Sequence, residues 1–319
     1  MSTGRKDPHP PASRSGVPAA PADLSTPSGG RSASERTTKV GYNLLAWSPG
    51  LSEALLPALD RLQEIGYDGV ECPLGTRDGA IYAPFEQRLK DLGLEATCSM
   101  SLGPEENPIS ESAAVRQKAV DRLKWAVDRA EELTAGLICG PIHSAAGTFS
   151  GHPPQDQEVA WSADVLREAG EYAAQADVTL ALEALNRFEC YLCNTMEQTG
   201  RLVEQIDHPN VTVHFDTHHA NIEEKDVAEA IGRVAPLLGH VHLSENDRGT
   251  PGSGLVPWDE AFAALAHHEY QGWLTLEAFT RSDPAFASDL HVWRAYDEPW
   301  QMAEQGYAFV QSMREKHGL

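Results

Sequence analysis

From Thr38 onward, short apolar runs alternate with amphipathic segments of helical period, and this happens eight times. The strand-like runs fall at 39–45, 68–73, 95–101, 136–141, 178–184, 211–216, 239–243 and 273–277. Helical patterns lie between them at about 52–65, 82–93, 111–134, 157–177, 195–206, 223–236, 258–268 and 299–316. The clearest is 111–134, where Val115, Ala119, Leu123, Ala126, Ala130 and Leu133 recur at spacings of three and four and make one apolar stripe. Gly66, Gly93 and Gly136 stand where a helix should stop before the next strand. A strand followed each time by a helix implies parallel strands joined by crossovers. Eight such units in about 280 residues match an α/β fold of the (β/α)8 TIM-barrel type, for which ~250 residues is typical. A doubly wound open sheet is the competing layout. It is disfavoured because no glycine-rich phosphate loop follows a strand.

Residues 1–37 differ in kind. They are rich in Pro, Ser, Ala and Gly and are expected to be a disordered tail, because they cannot bury enough apolar surface to offset their ordering entropy. Residues 38–319 are then expected to form one barrel domain. The tail carries five basic and three acidic residues, so the overall net charge of −22 comes from the barrel. Such an acidic surface argues against nucleic acid and anionic membranes as partners and suits a small neutral substrate or a metal. No run approaches the ~18 apolar residues of a membrane span, and the N-terminus shows no apolar signal region. The five cysteines, Cys72, Cys98, Cys139, Cys190 and Cys193, form no regular framework and read as reduced thiols, pointing to the cytoplasm. Cys190-Tyr-Leu-Cys193 is a lone CxxC with no second pair to complete a zinc site.

Four of the strand-like runs end in ligand-type residues: Glu183, Asp216, His242 and Glu277. In a (β/α)8 barrel the carboxyl ends of the strands form the active-site mouth. One charged residue at a strand end is ordinary, since strand ends meet solvent. Four on strands five to eight, all of metal-binding type, predict a divalent-metal site. Carboxylates with a single imidazole suit Mn²⁺, Co²⁺ or Mg²⁺ better than structural Zn²⁺. Four protein ligands leave positions for a bidentate substrate, such as the α-hydroxyketone of a ketose. A metal there would polarise the C2 carbonyl and stabilise an enediolate. Glu183 and Glu277, from strands five and eight, would stand on opposite faces of the substrate. One would take the C3 proton while the other returns a proton to the other face, which is epimerisation; an aldose–ketose isomerase needs one base only.

The segments Leu182-Glu-Ala-Leu-Asn-Arg-Phe-Glu189, Phe215-Asp-Thr-His-His-Ala-Asn-Ile-Glu-Glu224, Gly239-His-Val-His-Leu-Ser-Glu-Asn-Asp-Arg248, Pro251-Gly-Ser-Gly-Leu-Val-Pro-Trp258 and Leu276-Glu-Ala-Phe279 resemble the D-tagatose 3-epimerase / D-psicose (allulose) 3-epimerase family of xylose-isomerase-like sugar epimerases. The resemblance spans about residues 38–316 and is strongest over 180–280. It implies that Glu183, Asp216, His242 and Glu277 are the metal ligands and that Glu183 and Glu277 are the acid–base pair. It further implies that Glu189, His219 and Arg248 bind substrate oxygens around C1 to C3, and that Phe279 is an apolar wall. It carries with it a free ketose as substrate and an assembly of two or four copies.

The chain departs from the family at the far end of the pocket. Asn43 ends strand one where relatives often carry Tyr or Phe, and Ala146 takes a position that is often Trp. His143 ends strand four. Asn43 and His143 are expected either to bond distal hydroxyls or to be satisfied loop polars. His214 and His240 lie two residues before a ligand, hence on the same face one layer deeper, and read as core or supporting groups. His218 reads as a loop cap, and His267 and His268 as a helix end. The competing activities are another sugar isomerase or an inosose-type dehydratase of the same superfamily, then an apurinic endonuclease, opposed by the acidic balance, and a sugar-binding protein without catalysis, opposed by the two intact glutamates.

Overall fold

The computed structural model describes residues 38–319; the expectation for residues 1–37 lies outside that range. Eight parallel strands close into a barrel in sequence order: β1 (Lys39–Asn43), β2 (Gly69–Pro73), β3 (Glu95–Ser99), β4 (Leu137–Gly140), β5 (Thr179–Glu183), β6 (Val211–Asp216), β7 (Leu238–Leu243) and β8 (Trp273–Leu276). Closure is made by β1 against β8, with Lys39 opposite Trp273 and Tyr42 opposite Leu276. The helices are α1 (Leu56–Ile65), α2 (Tyr82–Leu92), α3 (Ala113–Glu132), α4 (Asp156–Ala173), α5 (Met196–Ile206), α6 (Thr217–Glu223), α7 (Val227–Val234), α8 (Trp258–His267), α9 (Pro284–Asp289) and α10 (Pro299–His317). Gly66 and Gly93 end α1 and α2 in the left-handed conformation expected of them.

Two elements depart from the sequence reading. The helix expected over 223–236 is α7, which begins only at Val227 behind its Asp226 cap, and a helix that was not expected, α6, precedes it from Thr217 behind the Asp216 cap. The helix α9 was not expected; Asp283 caps it and Pro284 opens it.

The main core lies between the strands and the helices, where residues such as Leu62, Leu123, Leu166, Val213, Phe215 and Leu265 are fully buried. The barrel interior is different. A small separate apolar cluster of Leu137, Cys139 and Ala181 sits there, beside buried polar groups including Asn43, Glu71, Thr97, His214, His240 and Thr275. The strands are thus buried on both faces, as parallel strands are, but their inner face is polar. That polar filling supports the mouth above it. At Gly69 a Cβ would meet the Trp273 ring at 2.7 Å and the Glu95 carbonyl oxygen at 2.4 Å, so only glycine allows β2 to pass there. At Gly140, where β4 turns into the mouth, φ is +128° and a Cβ would lie 2.1 Å from the Met100 carbonyl oxygen. Among the described residues no helix is long and apolar enough to cross a membrane.

Candidate active site

The carboxyl ends of the strands open onto a cavity of about 320 Å³ lined by, among others, Glu183, Glu189, His219, His242, Arg248 and Glu277. Glu183 ends β5, Asp216 ends β6, His242 is the penultimate residue of β7, and Glu277 follows β8 directly. All four are at least 95 % buried. Ligand atoms from all four lie within 4.8 Å of one another. The expected constellation is therefore assembled, and Glu183 and Glu277 converge on one cavity.

Each member is aimed by its surroundings. Asp216 Oδ1 accepts from the backbone N–H groups of His218 (2.6 Å) and His219 (3.2 Å), capping α6. This leaves Oδ2 toward His242 Nδ1 at 3.7 Å. That Nδ1 also lies 3.4 Å from Glu277 Oε1 and is a buried atom without a hydrogen-bond partner. His242 Nε2 lies 2.7 Å from Glu71 Oε1. An ionised carboxylate only accepts, so Nε2 carries a proton, and Nδ1 is the nitrogen left facing the carboxylates, where a bound cation would take its lone pair. Three buried carboxylates beside one imidazole nitrogen are an oxygen-rich donor set that fits a hard divalent cation.

Arg248 is held in the left-handed region at φ +66°, which a non-glycine residue adopts only when its surroundings fix it. Its Nη1 donates to Glu277 Oε2 at 2.6 Å, Ser244 Oγ at 2.9 Å and Asp216 Oδ2 at 3.2 Å. Its guanidinium stands 4.9 Å above the Phe279 ring. His219 Nδ1 accepts from the Asn186 backbone N–H at 3.1 Å, and Asn186 Nδ2 donates to Glu189 Oε1 at 2.7 Å. His219 Nε2 faces Glu183 Oε1 at 3.5 Å.

Burial raises the Glu183 carboxyl well above the usual range, and the neighbouring Asp216 and Glu277 charges push the same way. Burial also raises Asp216, to about 6, although Arg248 opposes it. Burial would raise Glu277 too, but His242 and Arg248 outweigh it and hold that carboxyl at about 2. Three packed carboxylates are thus under mutual repulsion that a cation relieves.

Asn43 and His143 are not in the cavity wall. Asn43 is fully buried; its Nδ2 donates to Glu71 Oε1 (2.8 Å) and Glu277 Oε1 (3.2 Å), and its Oδ1 accepts from Leu45 N–H (2.9 Å). His143, also fully buried, has Nε2 2.9 Å from the Glu183 backbone carbonyl, to which it donates. Both side chains thus hold a glutamate in place: Asn43 the carboxylates of Glu71 and Glu277, His143 the Glu183 backbone. Ala146 and Phe279 do line the cavity. His240 and His214 sit one layer down as expected: His240 Nε2 is 2.8 Å from Glu71 Oε2, and the His214 ring packs edge-on against His242 at 4.1 Å. His218 Nδ1 faces the Asn246 and Glu245 carbonyls, the loop-capping role read from sequence. The CxxC thiols are buried and free.

Two residues escaped the sequence reading. Glu71 lies inside β2, and the signal was a carboxylate in the middle of an otherwise buried apolar strand. Glu245, fully buried, accepts from the backbone N–H groups of Asn246, Gly252 and Val256 and from Trp258 Nε1, folding the loop that carries Arg248.

A closed (β/α)8 barrel with three carboxylates and an imidazole gathered at its mouth has the build of a sugar isomerase that works with a divalent cation. The chain belongs to the xylose isomerase-like TIM barrel family, whose model matches residues 59–306. It is 32 % identical to the ketose 3-epimerase of Arthrobacter globiformis over 259 residues, covering 80 % of this chain and 89 % of that one. It is 31 % identical to the L-ribulose 3-epimerase of Methylomonas sp. (strain DH-1), covering 80 % and 90 %. Among solved structures, the D-allulose 3-epimerase from Methylomonas sp. in complex with D-allulose superposes with a TM-score of 0.82 at 29 % identity, covering 87 % of this chain and 98 % of that one. The chain is an enzyme of the same class, an isomerase.

Proposed function

We propose that this protein interconverts free ketoses at C3, by removal of the C3 proton on one face of the sugar and return of a proton on the other. The observation that carries this reading is the convergence of Glu183 and Glu277, from strands three apart, on one enclosed cavity. Two acid–base groups at one carbon are what inversion requires and what a one-face isomerase does not need. Arg248 and His219 would donate to the oxygens where negative charge develops, and Glu189 would accept from a neighbouring hydroxyl. Glu183, Asp216, His242 and Glu277 would hold Mn²⁺, with Co²⁺ or Mg²⁺ as substitutes. That cation would polarise the ketose carbonyl and offset the developing charge. Free rather than phosphorylated sugar is favoured because Arg281, the cation nearest the β8 mouth in sequence, is spent on the Val292 carbonyl. A cytoplasmic enzyme assembling as two or four copies completes the reading; five buried free thiols agree with a reducing compartment.

The test is turnover of D-tagatose, D-fructose and D-psicose with Mn²⁺ in deuterated water. Deuterium should enter at C3 with inversion there. Label confined to C1 would make the protein an aldose–ketose isomerase and end the proposal.

A further inference from the structure

Below the mouth, Glu71 is the point where the supporting contacts meet. It comes from β2, across the barrel from β6, and is fully buried. One oxygen, Oε1, receives His242 Nε2 at 2.7 Å and Asn43 Nδ2 at 2.8 Å. The other, Oε2, receives His240 Nε2 at 2.8 Å, Thr97 Oγ1 at 3.0 Å and Cys139 Sγ at 3.2 Å. Five donors from four strands therefore saturate one carboxylate, so its position is over-determined. The Asn43 amide that bonds Glu71 also reaches Glu277 Oε1 at 3.2 Å.

We propose that Glu71 is a positioning residue for the metal centre: it fixes His242 with the proton on Nε2 and, through Asn43, couples that imidazole to Glu277. One buried carboxylate thereby orients two of the four ligands. The inference rests on the reading that those four residues hold a divalent cation. Its chemistry is general. A ligating imidazole must present one bare nitrogen, and a carboxylate behind the other nitrogen decides which one is bare while raising its basicity. Nδ1 of His242 is the nitrogen left for a cation because Nε2 is committed to Glu71. A second cation among Glu71, Cys139, His240 and His242, whose ligand atoms are also close together, is a weaker reading. The two imidazole nitrogens nearest Glu71 already fit as its hydrogen-bond donors. Asn43, read from sequence as a possible contact to the sugar, becomes the link between Glu71 and the acid–base pair.

The decisive variant is Glu71→Gln, which keeps volume and one acceptor oxygen but removes the charge and places an amide donor against one of two imidazole donors. Asn43→Ser cuts only the branch to Glu277. Mn²⁺ affinity is measured by calorimetry on the full-length protein. The His242 protonation site is read from ¹⁵N shifts and N–H couplings in the Mg²⁺-loaded protein, and folding is checked by circular dichroism and thermal melting. Glu71→Gln should weaken Mn²⁺ about 10–100-fold and lose the single Nε2–H signal of His242. Asn43→Ser should leave that signal in place while lowering kcat more than it raises KM. Wild-type Mn²⁺ affinity and an unaltered Nε2–H signal in a folded Glu71→Gln protein would overturn the inference. Should Glu71→Gln not fold, loss of the His242 signal in Asn43→Ser, which is to leave the bond from His242 to Glu71 standing, would overturn it instead. Failure of the wild-type protein to bind any divalent cation would remove the metal reading itself, a separate outcome.

Discussion

At the scale of single residues, Asp216 and His242 are each aimed at the mouth by a contact on the opposite atom of the same group. Asp216 spends Oδ1 on the first turn of α6 and keeps Oδ2 for the mouth; His242 spends Nε2 on Glu71 and keeps Nδ1. Removing the acid–base function of one glutamate while keeping its shape should be nearly fatal to turnover. Glu277→Gln is expected to lower kcat by about 10²–10⁴-fold, the usual contribution of a positioned acid or base; measured kcat within threefold of wild type would exclude Glu277 from proton transfer. The four strand-end residues and the face of His214 and His240 were legible in the sequence, since strand order and two-residue periodicity place a side chain without knowledge of its neighbours. The roles of Asn43 and His143 were not. Whether a polar side chain at a strand end turns to the substrate or beneath it depends on what the opposite strands offer, and Glu71 and the Glu183 carbonyl offered partners.

Among the elements, the loop from Ser244 to Pro257 does the most to shape the mouth. Its fold depends on Glu245, whose two oxygens accept from three backbone N–H groups and the Trp258 indole. Arg248 rides on this loop in a left-handed conformation. Glu245→Ala strands those donors in a buried setting, so a loss of about 2–4 kcal/mol in urea denaturation is expected, with a raised KM as Arg248 loses its place. A stability loss under 0.5 kcal/mol would mean the loop is held elsewhere. Helices and strands were legible because their apolar period is local. The presence of α6 and of α9 was not, because short helices carry little periodic signal and are decided by caps: Asp216 and Asp283.

Taken as a whole, the barrel gathers three buried carboxylates at its mouth, and cation binding should therefore report on global stability. At a Mn²⁺ concentration 100 times its dissociation constant the folded state gains about 2.7 kcal/mol, roughly 4–5 °C in Tm for a domain of this size. Chelator-treated protein should melt lower and recover with Mn²⁺, while Asp216→Asn should show little recovery; equal melting temperatures with and without the ion would contradict the site. The overall architecture was the most legible level of all, because eight alternations leave few closed solutions. What the alternation hides is the polar filling of the barrel interior, since an inward Thr or His is only one residue in a mostly apolar run. The closure of β1 on β8 carries a further consequence, one of timing. The first strand finds one of its neighbours early, in β2, but the other, Lys39 against Trp273, leaves the ribosome more than two hundred residues later. At ~5–20 residues per second the chain spends roughly 10–50 s without the strand that closes its two sheet edges on each other, and Glu277, the last of the four proposed ligands, arrives with that strand. Completion of the barrel and completion of the catalytic centre are the same event in the life of a nascent chain.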